Sequence, residues 1–102
     1  MQTLRAPLLI LLLAMTSVNL VAQPEVPLLQ QRVTDFTNSL SFNEWRALET
    51  RLKQFEDSTS TQIAIVLLRS LDGGSIEDYS MRVFEKNKLG QKGKDNGVLI
   101  VI

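Results

Sequence analysis

The sequence predicts an α/β fold, a layered α/β/α sandwich around a mostly parallel sheet, and three observations carry that expectation. Residues 62–68 and 98–102 are short, near-continuous apolar runs, the pattern of strands covered on both faces. A helical pattern joins them, with Ile76, Tyr79, Val83 and Phe84 on one side. A second helical stripe precedes them, with Trp45, Leu48, Leu52 and Phe55 at spacings of three and four. Strand, helix, strand with so long a connection favours a right-handed parallel βαβ unit. The sheet is expected to be incomplete in this chain, because covering both faces of 98–102 needs more residues than are present.

A chain of 102 residues bounds the answer to at most one domain. Residues 1–22 read as a secretory signal peptide: Arg5 precedes an apolar run, and the small Ala22 comes before Gln23 and Pro24. Leu20 sits where a small residue suits cleavage better, so retention as an anchor is the competing expectation. The run falls short of the roughly 18 apolar residues that span a bilayer. The expected location is therefore exported, in the periplasm or cell envelope.

Lys plus Arg total 11, as do Asp plus Glu, and Arg5 is the one charge in the leader. That balance gives no basic face for nucleic acid. Cysteine and histidine are both absent, which removes disulfides, Ser-His-Asp and Cys-His nucleophiles, and His or Cys metal sites. Carboxylates, lysines, hydroxyls and backbone amides remain to do any chemistry.

Residues 23–32, with Pro24 and Pro27, read as an extended linker, and the domain is expected to occupy 33–102. The alternation Val33-Thr34-Asp35-Phe36 suits a short edge strand. Ser41-Phe42-Asn43-Glu44 matches a capping box at the start of the first helix, with Leu40 and Trp45 as a hydrophobic staple. Burying the four stripe residues is worth about 1.5 to 3 kcal/mol each, while Arg46, Glu49, Arg51, Lys53 and Glu56 are placed on the opposite face. Residues 57–61 form a polar break before the first apolar strand, and Asp72-Gly73-Gly74 makes a turn after it. Ser75 is the expected N-cap of the second helix, Glu77 and Asp78 suit its positive end, Lys86 and Lys88 its negative end, and Gly90 its left-handed terminus.

Val33-Thr34-Asp35, Leu40-Ser41, Gln62-Ile63-Ala64-Ile65-Val66 and above all Leu89-Gly90-Gln91-Lys92-Gly93-Lys94-Asp95-Asn96-Gly97-Val98-Leu99 resemble the TPM domain family. The resemblance covers 33–102 and implies an exported α/β sandwich domain, truncated here at its C-terminal side. It also implies a membrane attachment supplied by a later segment, membrane proteins as partners, and roles in membrane-protein assembly or acid phosphatase activity. Two positions depart from similar sequences: Asn87 stands where tryptophan is common, and Ser60 where glycine is common.

The loop at 90–97 holds the candidate site. Asp95 is the candidate catalytic carboxylate, and Lys92, Gly93, Lys94 and Gly97 are the candidate phosphate-binding residues, because inward amides and lysine charge suit an anion. Asp95, Asn96 and Asp35 are the candidate ligands of a divalent cation, calcium or magnesium. The glycine spacing is not that of a P-loop, and the oxygens are too few for an EF-hand. The competing reading makes the loop a plain helix-to-strand connector, its glycines and Asn96 serving the turn. Open α/β sheets place ligands beyond the carboxyl ends of their strands, and this loop feeds the other end. Two functions follow as expectations: a membrane-associated assembly or interaction module, or a divalent-metal-assisted acid phosphatase.

Overall fold

The computed structural model describes residues 25–90 and 95–102. The order is β1 (Val33–Asp35), α1 (Phe42–Thr59), β2 (Gln62–Leu67), α2 (Ile76–Asn87) and β3 (Gly97–Val101). The fold is α/β, as the apolar runs predicted. All three strands are parallel in the order β1-β2-β3. Val33 aligns with Ile65 and Asp35 with Leu67 on one side of β2, and Gln62 with Gly97 and Val66 with Val101 on the other.

Helix α1 begins as its capping box requires. The Glu44 amide donates to Ser41 Oγ at 3.1 Å, and the Ser41 amide donates to Glu44 Oε1 at 3.0 Å. The helix runs through the expected polar break as far as Thr59, and the Ser58 and Thr59 hydroxyls donate to the Phe55 carbonyl at 3.2 and 2.7 Å. Ser60 ends it with φ of 61°, a left-handed position that costs a side-chain residue about 1 kcal/mol. The stripe is less buried than its spacing predicts. Trp45, Leu48 and Leu52 are half-buried, Phe55 is exposed, and no residue of α1 is fully buried.

Helix α2 starts at Ser75, whose Oγ accepts from the Asp78 amide at 3.2 Å. It stops at Lys88, which takes the left-handed conformation expected of Gly90, and Gly90 then bends the chain again with φ of 82°. The core forms where α2 meets the sheet. Tyr79, Val83 and Val26 are buried there, with Leu29, Leu68, Leu71, Leu99 and Val101 packed against them. Burial pushes the Tyr79 hydroxyl above its ordinary pKa.

Side chains alternate along a strand, so Val98, Ile100 and Ile102 share the face of β3 opposite Leu99 and Val101. They are 44%, 42% and 69% exposed, and no layer covers this face among the described residues. Residues 25–32 have no helix or strand, yet they are not a loose tether, since Val26 sits in the core at 8% exposure. The leader at 1–22 lies outside the described residues. Among those described, no helix is long and apolar enough to cross a membrane.

Candidate functional site

The loop at 90–97 is closed at its neck by two glycines. A Cβ on Gly90 would lie 2.7 Å from the Gly97 amide nitrogen, and one on Gly97 would lie 2.7 Å from that of Gly90. Glycine is required at both positions so that the backbones can touch. Gly97 is thus spent on this contact. Three further bonds stitch the neck to the entrance of β2: the Gly90 amide donates to Gln62 Oε1 at 2.8 Å, the Gln62 amide donates to the Asn96 carbonyl at 2.9 Å, and Asn96 Nδ2 donates to the Ser60 carbonyl. Asn96 therefore serves the connection in this arrangement.

Asp95 stands just outside the neck, exposed, with φ of 45°. Its carboxylate makes no hydrogen bond or ion pair among the described residues. Lys92, Gly93 and Lys94, the remaining candidates of this loop, lie outside the described residues.

Asp35 is placed elsewhere. It aligns with the last residue of β2, whereas Asp95 leads into β3 beside the first, and the five intervening steps of strand put the two ends roughly 16 Å apart. The expected carboxylate pair is not formed, so Asp35 and Asp95 do not hold one ion between them. Asp35 instead closes the turn after β1: Oδ1 accepts from the Thr37 amide at 2.8 Å and from the Thr37 hydroxyl, and Oδ2 accepts from the Leu40 amide at 2.9 Å. The Thr37 hydroxyl, then the Leu40 amide, hold its pKa below the usual carboxylate value. Among the described residues no three acidic side chains gather in a cluster that would hold a metal.

The carboxyl end of the sheet is likewise occupied by its own side chains. Arg69 Nε donates to the Phe36 carbonyl at 3.1 Å, the Asp72 amide donates to Ser70 Oγ at 3.0 Å, and the Ser75 hydroxyl donates to Glu77 at 2.8 Å. An anion at the start of α2 would meet Glu77 and Asp78, as the sequence indicated.

Sequence reading missed the ionic cluster on the inner side of α1. Arg32 Nη1 pairs with Glu49 at 3.2 Å and Nη2 with Glu56 at 2.9 Å. The hydrogen bond to Glu56, foremost, raises the guanidinium above its ordinary pKa. Arg32, Glu56, Gln62 and Asn87 help to line a cavity of about 200 Å³ at the amino end of the sheet, and the buried Arg32 Nε has no hydrogen-bond partner among the described residues. Glu49 and Glu56 were expected on the outer face. The signal against that was present, because 45, 49, 52 and 56 follow the helical repeat and place both acids on the stripe of Trp45 and Leu52.

The same stripe completes the outer edge of β1. In that strand Arg32 and Phe36 bond toward β2, so Val33 turns its backbone groups outward. Glu49 Oε2 accepts from the Val33 amide at 2.9 Å and Trp45 Nε1 donates to the Val33 carbonyl at 2.8 Å. Trp45 was expected as a core residue; half-buried, it works chiefly through its indole N–H.

Comparison with curated proteins finds no match. The TPM domain pattern matches residues 33–102, a span that contains the three strands and two helices of the described residues and the loop between Gly90 and Gly97. On that match, the chain belongs to the TPM domain family.

Proposed function

We propose that this chain is an exported, extracytoplasmic TPM domain that works as a membrane-associated assembly or interaction module. The observation that carries this reading is the TPM domain match over residues 33–102, which spans the sheet and both of the helices packed on it. The leader pattern at 1–22 and the family's association with membrane-protein assembly support it. The test is photo-crosslinking from position 100 in cells, followed by recovery from membranes. Crosslinks to membrane proteins that disappear when Val98→Asp is added are expected; labelling no greater than from an exposed α1 position such as Arg51 would overturn the reading.

A second reading, a divalent-metal-assisted acid phosphatase, is favoured by the exposed Asp95 carboxylate beside the lysine-bearing loop. The chain is assayed on a phosphomonoester with and without magnesium or calcium, beside Asp95→Ala. Turnover that is equal in the variant would remove Asp95 and this reading together.

A further inference from the structure

Residues 25–32 lead into β1 without regular structure, yet one side chain of α2 holds them as a neighbouring strand would. The Leu29 amide donates to Asn87 Oδ1 at 2.6 Å, and Asn87 Nδ2 donates to the Pro27 carbonyl at 3.0 Å. A carboxamide offers both an acceptor and donors. It therefore reads the carbonyl of one residue and the amide two residues later, the pair of groups that a strand neighbour engages in a ladder. Asn87 Nδ2 also donates to the Val83 carbonyl at 2.9 Å, which fixes the amide on its own helix. Lys86 Nζ donates to the Val26 carbonyl at 2.7 Å rather than lying along the helix end.

Side-chain pockets accompany these backbone contacts. Val26 is buried with Tyr79 and Val83, and Leu29 packs on the same cluster, while Leu28 between them is 67% exposed. A repeat of three residues is that of an extended polyproline-type turn, and Pro27 pre-sets its backbone for it. The segment is thus recognised at its first and fourth apolar side chains and along its backbone.

We propose that α2 carries a binding site for an extended apolar peptide of the pattern Val-Pro-Leu-Leu, which the chain's own residues 26–29 occupy in cis. Asn87 and Lys86 read the peptide backbone, and the surface of Tyr79 and Val83 receives its first and fourth side chains. The inference stands apart from the proposed function, since it uses neither the face of β3 nor the loop at 90–97.

Two measurements test it. Hydrogen exchange at the Leu29 amide is compared between the wild-type chain and Asn87→Ala, and acceleration of about tenfold or more is expected while α2 keeps its protection. A labelled synthetic peptide with the sequence of residues 23–30 is then added to the wild-type chain, whose site is filled, and to the Val26→Asp, Leu29→Asp double variant, which expels its own segment. Saturable binding to the double variant alone is expected, weakened about tenfold or more by adding Asn87→Ala. Unchanged Leu29 exchange in Asn87→Ala, or no peptide binding by a double variant with a wild-type circular dichroism spectrum, would overturn the proposal. Should the double variant not fold, Lys86→Met leaves the core intact and is expected to accelerate Leu29 exchange about threefold. No change there overturns it equally.

Discussion

The sheet has two outer edges, and they are finished in opposite ways. At β1 the outward amide and carbonyl of Val33 are both taken by side chains of α1, Glu49 and Trp45. At β3 the strand bonds to β2 through Asn96 and Ile102, so Leu99 and Val101 turn their backbone groups away from the sheet, where the described residues supply no partner. A strand of three residues cannot hold itself in a sheet by ladder bonds alone, and side chains substitute for the missing neighbour. Strand β3 has five residues, parallel pairing with β2, and Leu99 and Val101 anchored on the core of α2. Among the described residues its outer edge and the face of Val98 and Ile100 meet no other element. An edge can thus be secured by polar capping or by apolar anchoring, and the two should respond differently to substitution.

The largest effect is expected for Glu49→Ala. It removes the acceptor of the Val33 and Arg32 amides and one partner of the Arg32 guanidinium, and a loss of about 2 to 4 kcal/mol is expected in urea unfolding followed by circular dichroism. A loss under about 1 kcal/mol would show that β1 does not depend on this cap. Trp45→Phe keeps a ring on the stripe but leaves the Val33 carbonyl unsatisfied, with an expected loss of about 1 to 2 kcal/mol in the same measurement. Smaller again is Ile100→Thr, which keeps a β-branched residue on the bare face of β3. It is expected to lower stability by about 1 kcal/mol or less, and a larger loss in the isolated chain would mean that this face is covered.

Asp35→Asn sharpens the comparison through pH. The carboxylate's pKa is lowered in the folded chain, so its stabilising contribution is complete above the unfolded-state value, about 3.9, and is lost as pH falls through the lower folded value. The wild-type chain should therefore lose stability more steeply than Asp35→Asn as the solution is acidified from about pH 6 to about pH 2. A constant difference between the two across that range would show that the turn after β1 does not draw on the charge.

Much of the fold was legible because it follows from short-range rules. The capping box at Ser41 and Glu44, the N-cap at Ser75 and the turn at 72–74 each satisfy backbone groups within a few residues, so the local sequence suffices. The strand at 62–67 was legible because its apolar residues had to be covered on both faces. The candidate site was less legible. Asp35 looked available as a ligand because a sequence does not show which amides a carboxylate will meet, and three donors within five residues take it up. Gly97 suited an anion cradle until the contact with Gly90 gave its lack of a side chain another use.

The sequence by itself determined the α/β class, the parallel order of strand, helix and strand, the helix starts, and membership of the TPM domain family. Each rests on periodicity, capping chemistry or a contiguous motif, which are properties of neighbouring residues. Only the tertiary structure decided that Glu49 and Glu56 face Arg32, that Asp35 and Asp95 sit at opposite ends of the sheet, and that Asn87 holds Pro27 and Leu29. These partners lie from 17 to 58 residues apart for the named Arg32–Glu49 and Leu29–Asn87 contacts. Their meeting is set by the register of the sheet and the packing of the helices on it, which no local pattern encodes.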